Sequence, residues 1–200
     1  MLHHIRATCE KACDTVNRME LVLLFDPPET ARAWDSWTRW RLMPQAQGNL
    51  GRRLATCWEA LMRASGVGCV FIGADAPEIT VQHLSWAAHE IRHSRYAMIP
   101  SLDGGYVLLG IPAGGVALFD GISWGTSQVA GQTRRAAAGH GAMLSELPAV
   151  HDIDTFADLA ALPARLHATQ AAADAELCRR LTGIMGPSSQ AMGRMPSTGV

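Results

Sequence analysis

The sequence carries little charge and no long stretch of one sign. Of its 200 residues, 18% are charged and the formal net charge is −1, so we expect no nucleic-acid partner. Every apolar run falls far short of the roughly 20 residues that cross a bilayer, so we expect no membrane span. Because the opening stretch MLHHIRATCEKACDTV lacks the apolar segment of a signal peptide, we expect a cytoplasmic protein.

Several catalytic motifs are missing as well. The sequence has no GxSxG elbow, no GxxxxGK[ST] loop and no GxGxxG after a strand, which disfavours serine hydrolysis, P-loop chemistry and hydride transfer. Its eight histidines form no HExxH motif, and its five cysteines have no repeated spacing. Cys9 and Cys13 share a helix face, but no second pair completes a zinc site. We therefore interpret the cysteines as reduced structural thiols.

Apolar residues make up 48% of the chain, enough for a substantial core, and their spacing alternates between strand and helix patterns. We predict an α/β fold with a mostly parallel sheet, in one domain over residues 1–182 followed by a flexible tail over residues 183–200. Predicted strands cover residues 20–26, 68–73, 96–100, 105–111 and 149–153. Predicted helices cover residues 3–18, 30–41, 80–93 and 127–138, and two more begin near residue 49 and at residue 155.

Polar residues mark the start of several of these helices. Thr30 and Thr80 can each cap a helix, and Thr155 with Asp158 three residues later resembles a capping box. The helix over residues 30–41 would carry three tryptophans on one face. These are Trp34, Trp37 and Trp40. We interpret this stripe as packing rather than as a platform for a sugar.

Carboxylates follow or interrupt the predicted strands. Asp26 follows the first strand, Asp75 follows the second, and Asp103 lies between the third and the fourth. Asp152 and Asp154 alternate across one residue at the fifth, so both would face the same side. Ligands of α/β sheets bind outside the carboxyl ends of the strands. These acids could therefore converge there on a hard cation such as Mg²⁺ or Mn²⁺.

Each acid also has a structural interpretation. Asp75 could cap the following turn, and Asp103 suits a turn before two glycines. Asp154 could hold the N-terminus of the last helix, and Asp26 before two prolines is most simply a strand terminator. We favour a functional role for Asp75, because Thr80 is available to cap the next helix.

Five motifs together resemble one family. They occur in this order: QGNLGRRL, FIGADAPEIT, PSLDGGYVLLGI, LFDGISWGTSQV and HDIDTFADL. Their order and spacing resemble the bacterial selenodomain-associated transferase-like family, a domain of unknown function in the glycosyltransferase-A (GT-A), or nucleotide-diphospho-sugar transferase, superfamily. The resemblance runs roughly from Arg6 to Leu162. It implies a three-layer α/β/α, Rossmann-like GT-A fold, a nucleotide-sugar or nucleotide substrate, and a divalent metal, Mg²⁺ or Mn²⁺.

The resemblance also implies roles for particular residues. Asp75 falls where the superfamily places a metal-binding acid, and Asp152 and Asp154 fall where related nucleotidyltransferases place a second metal ligand. Asp103 falls on the D-G-G-Y turn and is the implied catalytic residue. The implied substrate-binding residues are Gly104, Gly105, Tyr106 and Trp124. The implied nucleotide-binding residues are Gln47, Gly48, Asn49, Gly51 and Arg52.

The sequence departs from the family pattern in three places. The family begins with a strand and a P-G-x-x-K-T-R-L loop that handles nucleotide phosphates, whereas this chain starts within the following helix. We therefore expect an N-terminally shortened fold. The usual QGDLGER reads QGNLGRR, so Asn49 replaces an acid, and Arg52 and Arg53 add positive charge. Ala76 replaces the usual cysteine.

Three functions fit these observations. The first is a metal-dependent glycosyltransferase with a nucleotide-sugar donor and an unknown small-molecule acceptor near Asp103 and Trp124, where Trp124 could face a sugar or pack in the core. The second is a nucleotidyltransferase acting on a phosphorylated small molecule, which the missing K-T-R loop disfavours. The third is a catalytically inactive GT-A-like binding domain, whose open sheet edge would favour a homo-oligomer or another partner chain.

Overall fold

The structure is a computed structural model that describes residues 2–16 and 19–168. Its helices are α1 (Leu2–Thr15), α2 (Leu50–Ser65), α3 (Val81–Arg92), α4 (Val129–Gly139) and α5 (Phe156–Ala168), with a 3-10 helix at Pro28–Trp34. Its strands are β1 (Leu21–Phe25), β2 (Trp40–Pro44), β3 (Cys69–Ile72), β4 (Tyr96–Pro100), β5 (Tyr106–Ile111) and β6 (Leu144–Glu146). The predicted domain limit at residue 182 and the predicted tail lie outside the described residues. Within that described part, no helix is long and apolar enough to cross a bilayer.

The strands form two sheets. β1 and β2 pair in parallel, and the other four strands form a sheet in the order β3-β5-β4-β6. β5 runs antiparallel to both β3 and β4, whereas β4 and β6 are parallel. Among the described strands, β1 pairs only with β2 and β3 only with β5, so each sheet has an unpaired edge at one of these strands.

The predicted α/β class is confirmed, but the larger sheet is mixed. β3, β4 and β6 share one direction, as expected of a mostly parallel sheet, and β5 opposes them. The physical reason is the short connection over residues 101–105. A parallel pair needs a crossover of about a dozen residues or more, whereas a short turn can join only antiparallel neighbours. The SLDGG segment therefore makes β5 run against β4.

Strand β4 is buried along its whole length and divides the core into two parts. Ala97 and Ile99 belong to an apolar cluster that includes residues of α1 and α3. Tyr96 and Met98 alternate with them and belong to a second cluster, with residues of α2 and α4. Helices therefore cover both faces of the larger sheet, which agrees with the predicted three-layer arrangement.

The predicted helix over residues 30–41 is wrong. The 3-10 helix ends at Trp34, and Trp40 begins β2, which pairs along its whole length with β1. The tryptophans still pack together: the ring centroids of Trp34 and Trp37 are 5.5 Å apart, and those of Trp37 and Trp40 are 5.1 Å apart. Pairing with the apolar β1 outweighs the helical spacing, which here reflects aromatic packing around the buried Trp37.

The predicted strand over residues 149–153 is also wrong. Only Val150 forms an isolated bridge there, and the strand that joins the sheet is β6. β6 is anchored by Glu90 of α3, whose carboxylate accepts hydrogen bonds from Ser145 at 2.6 Å and from Arg95 at 2.6 and 3.0 Å. β6 is short and partly polar, so its sequence gives only a weak strand pattern, and this tertiary anchor holds it in the sheet.

Three predicted helix starts are confirmed by their capping contacts. Asn49 Oδ1 accepts a backbone hydrogen bond at 3.0 Å in the first turn of α2. Thr80 and His83 form a capping box at the start of α3. Thr155 Oγ1 accepts from the backbone N–H of Asp158 at 3.2 Å, and the Asp158 carboxylate accepts from the Thr155 N–H at 2.9 Å. Short-range polar contacts therefore fix where these helices begin.

We predict that Glu90→Gln lowers the free energy of unfolding at neutral pH by roughly 1.5–3 kcal/mol, the usual value of hydrogen bonds to a charged group. The bonds from Arg95 and Ser145 lower the pKa of Glu90 from 4.5 to about 2. This stabilisation is therefore present above the ordinary pKa of a glutamate and is lost as the pH falls towards 2. Urea unfolding of both proteins at neutral and acidic pH should show a smaller difference in acid. An equal difference at both would contradict the assignment.

Candidate functional site

Three carboxylates meet beside the β4–β5 turn. Asp103 lies in that turn, and Asp152 and Asp154 lie in the segment between β6 and α5. One oxygen of each carboxylate lies within 4.8 Å of the other two. The fold thus brings the predicted catalytic acid next to two of the predicted metal ligands, although the two segments are far apart in sequence. Oxygen atoms at this separation could hold one hard divalent cation.

Backbone hydrogen bonds hold the two segments side by side. Val150 bonds to the end of β4 and to Leu102, with N···O distances of 3.0 and 3.2 Å. Inside the turn, Asp103 Oδ1 accepts from the Ser101 hydroxyl and from the Gly105 N–H, the latter at 2.9 Å. These two bonds orient the Asp103 carboxylate and leave Oδ2 for another ligand.

Asp75 lies beside this group, just after β3. Its backbone carbonyl accepts a hydrogen bond from the Ile153 N–H at 3.0 Å, which ties the end of β3 to the acidic segment. Its side chain folds back over Gly73, where any Cβ would overlap Asp75 Oδ1. Because Thr80 caps α3, Asp75 is not needed for that role. Its exposed carboxylate is near enough to Asp152 to act on it electrostatically.

Asp152 is repelled by its neighbours. Burial raises the pKa of its carboxyl, and so do the negative charges of Asp103, Asp154 and Asp75. The exposed Asp154 could have served only to cap α5, but Thr155 supplies that cap. A cation placed among these acids would relieve the repulsion that they exert on one another.

The D-G-G-Y turn packs closely against the start of α4. Gly104 has a φ of +93°, and a Cβ at this position would overlap the backbone carbonyl of Ser127. The Gly104 carbonyl also accepts a hydrogen bond from the Ala130 N–H at 2.9 Å. A Cβ on Gly105 would lie 2.9 Å from Ser101 Oγ. Both glycines, predicted to bind substrate, thus have a packing role that fixes the position of Asp103.

Two predicted substrate-binding aromatics contact each other. The rings of Tyr106 and Trp124 meet edge to face with centroids 6.2 Å apart, and Trp124 also lies 6.4 Å from Phe119. The Tyr106 hydroxyl is buried and has no hydrogen-bond partner among the described residues, and burial raises the pKa of Tyr106. The Trp124 indole lies directly against Gly51, where a Cβ would overlap it. Gly51 is therefore what allows Trp124 to rest on the first turn of α2.

Arg53 fixes the turn that precedes α2. Its guanidinium donates to the Gly48 carbonyl at 2.9 Å, and to Asp26 Oδ2 and Gln45 Oε1 at 3.0 Å each. Asp26, which we interpreted as a strand terminator, therefore also forms an ion pair. Arg52 is exposed instead. Of the two arginines in the motif, Arg53 is structural, and Arg52 is the one placed to meet a ligand.

A cavity of about 580 Å³ lies between the first half of α2 and the loop of residues 119–124. Three predicted nucleotide-binding residues and one predicted substrate-binding residue line it. These are Asn49, Gly51, Arg52 and Trp124. Gln47 and Gly48 lie in the exposed turn just before and do not line it. The structure thus brings two of the predicted residue sets together in one cavity.

The cavity also contains polar residues that sequence reasoning missed. Thr56, Glu59 and Asp120 line it and are exposed. Arg52, Thr56 and Glu59 are spaced at i, i+4 and i+7, which places them on one face of the helix. This spacing could have identified Thr56 and Glu59 from the sequence. Asp120 precedes a glycine within the quoted motif LFDGISWGTSQV, which is the pattern of an acid at a turn.

The chain matches a protein family and shares its fold with a solved structure. A family model described as "Uncharacterized protein conserved in bacteria (DUF2064)" matches residues 9–126. The chain is similar to a crystal structure from Desulfovibrio desulfuricans G20, whose name proposes a nucleotide-diphospho-sugar transferase. The TM-score is 0.75 at 22% identity, over 92% of this chain and 82% of that one, which shows a common fold. No curated protein matches this sequence.

We predict that Gly104→Ala destabilises the protein by about 2 kcal/mol or more, because its φ of +93° is strained for other residues and the new Cβ meets the Ser127 backbone. The matched control is Gly131→Ala on α4, where a Cβ would meet only Arg135 Nη1 at 3.9 Å. Because Gly131 lies in the first turn of α4, this control should stabilise by at most about 0.5 kcal/mol. Urea unfolding distinguishes the two, and similar stabilities would refute the close packing of the turn.

Proposed function

Because the chain belongs to the DUF2064 family of uncharacterized proteins conserved in bacteria, and because it shares a fold with the Desulfovibrio protein, we propose that it is a metal-dependent glycosyltransferase that uses a nucleotide-sugar donor. The observation that carries the proposal is the approach of three carboxylates to within 4.8 Å, from Asp103, Asp152 and Asp154. The name of the Desulfovibrio protein supports the choice of a nucleotide-sugar donor. Since a fold alone hosts many chemistries, the proposal depends on this acidic group.

The acidic group suits a hard cation by the chemistry of its donor atoms. Mg²⁺ and Mn²⁺ prefer oxygen ligands and are commonly held by carboxylates together with substrate phosphates. We propose that Asp152 and Asp154 hold the metal, with Asp103 Oδ2 and Asp75 beside them as further ligands. A bound metal of this kind supplies positive charge that stabilises a departing diphosphate.

The chain's own residues would orient the reactants. Ser101 and Gly105 fix Oδ1 of Asp103, so its other oxygen has a defined position for holding the metal or accepting a proton from an acceptor hydroxyl. The diphosphate of the donor would therefore lie at the acidic group, beside Asp103.

We predict opposite effects of Asp152→Asn on the free and the metal-loaded protein. Because the pKa of Asp152 is raised in the folded state, its charge disfavours folding once the pH exceeds that pKa, and the neutral amide removes this cost. At neutral pH the melting temperature of the metal-free variant should rise by about 1–3 °C. The increase in melting temperature that Mn²⁺ gives wild type should be largely lost.

The matched control is Asp158→Asn, which removes a carboxylate that caps α5 and lies outside the acidic group. It should lower the metal-free melting temperature yet keep the Mn²⁺ response. The response of wild type should also weaken as the pH falls, because protons compete for Asp152. If Mn²⁺ raised the melting temperatures of wild type and Asp152→Asn equally, that result would contradict the proposal that the acidic group is the metal site.

The reaction class is tested by its products. Incubation with Mn²⁺ and a panel of nucleotide sugars should release nucleoside diphosphate from one of them, as transfer to acceptor or water requires. Asp152→Asn should release it at a much lower rate. Pyrophosphate formed from a nucleoside triphosphate and a sugar phosphate would instead identify a nucleotidyltransferase and contradict the proposal.

A further inference from the structure

We infer that the cavity between α2 and the loop of residues 119–124 binds the acceptor, and that the acceptor presents an uncharged, polyhydroxylated ring such as a pyranose. This inference rests on the proposed transferase function and adds the acceptor's chemical class and position. The cavity measures about 580 Å³, within the roughly 300–1,000 Å³ typical of small-molecule sites. It therefore has room for a single sugar with further groups attached.

Trp124 provides a rigid aromatic surface in this cavity. Its indole is supported by Gly51 beneath it and by the rings of Tyr106 and Phe119. It packs against the second apolar cluster, but it is only half-buried and also lines the cavity. Aromatic side chains offer a large apolar contact surface at low cost in entropy, which suits the C–H face of a sugar ring.

The loop that carries Trp124 is braced by α4. Gln132 Oε1 accepts from the Ser123 N–H at 2.6 Å, and Gln132 Nε2 donates to Ser123 Oγ at 3.0 Å. Thr126 Oγ1 donates to the Ser123 carbonyl at 2.7 Å. Bonds on both sides of Ser123 thus fix the residue next to Trp124. A preorganised aromatic surface loses little entropy when a ligand binds.

The polar lining favours an uncharged ligand over a phosphate. Among the described residues that line the cavity, Arg52 is the one cation, whereas Glu59 and Asp120 are both anions, so these charges sum to −1. Thr56 and the Asn49 amide add neutral donors and acceptors. Hydroxyl groups both donate and accept, so a ring that carries several can satisfy this mixture. A diphosphate would meet more negative than positive charge.

The aromatic pair connects this cavity to the acidic group. Tyr106 follows the turn that carries Asp103, and its ring contacts Trp124. A sugar lying on Trp124 would therefore be one aromatic ring away from the acidic turn. In this arrangement the metal and the diphosphate occupy the acidic side, and the acceptor occupies the cavity.

Direct binding tests the assignment without relying on turnover. The probes are methyl α-D-glucopyranoside, methyl α-D-galactopyranoside and methyl α-D-mannopyranoside at millimolar concentration, with uridine and guanosine as comparators, observed by saturation-transfer NMR on the full chain. We expect transfer to at least one glycoside. Gly51→Ala, whose Cβ displaces the indole, and Trp124→Leu should each weaken it at least about tenfold, since both remove the aromatic contact.

Gly131→Ala serves as the control that must keep glycoside binding, because its Cβ touches nothing closer than Arg135. Should Gly51→Ala fail to fold, Trp124→Leu and Asp120→Asn decide the question, and both should weaken binding. The inference is overturned if no glycoside binds wild type, if the folded variants bind as wild type does, or if only the nucleosides bind and lose binding in Trp124→Leu.

The metal-site variant separates this inference from the proposed function. Because glycoside binding needs neither metal nor donor, Asp152→Asn should bind the glycosides as wild type does. A protein that binds glycosides but shows no Mn²⁺ response would contradict the transferase proposal alone. A protein that responds to Mn²⁺ but binds no glycoside would contradict only the inference that the cavity binds the acceptor.

Discussion

The five residues 101–105 between β4 and β5 constrain the whole site. They reverse the chain at once, so β5 runs antiparallel to β4, and its other edge pairs with β3. The reversal is possible because Gly104 adopts a positive φ and packs against the backbone at the start of α4. The same turn presents Asp103 to the acidic segment and Tyr106 to Trp124. One tight turn therefore positions both the acidic group and the aromatic wall of the cavity.

The acidic group costs free energy that its surroundings must offset. Like charges repel, and burial raises the pKa of Asp152 further. The compensation comes from backbone pairing, in which Val150 bonds to the β4 end of the turn and Ile153 to the Asp75 carbonyl. Glu90 also contributes to this compensation, because it anchors β6, the strand that precedes the acidic segment. A carboxyl group such as that of Asp152, whose pKa is raised by burial and by neighbouring charges, is more typical of a functional site than of a purely structural one.

Local signals in the sequence predicted the parts of the fold that local contacts determine. Asn49 and Thr80 bond to residues three positions away, so the starts of α2 and α3 could be predicted from the local sequence. The tryptophan stretch and β6 depend on distant partners, the strand β1 and Glu90, and were therefore missed. Of the site, the positions of Asp75 after β3 and of Asp103 between β4 and β5 were predicted, whereas Asp152 and Asp154 lie outside any strand. The grouping of these acids was less predictable, because it is Asp103 rather than Asp75 whose oxygen lies within 4.8 Å of Asp152 and Asp154.

A crystal of the protein grown or soaked with Mn²⁺ tests the central claim most directly, because the anomalous signal locates the ion without any need for turnover. We predict one anomalous peak bounded by the carboxylates of Asp103, Asp152 and Asp154, and no such peak in Asp152→Asn. An ordered wild-type crystal with no peak among these acids, or with manganese bound only elsewhere, would contradict the claim that this acidic group is a metal site.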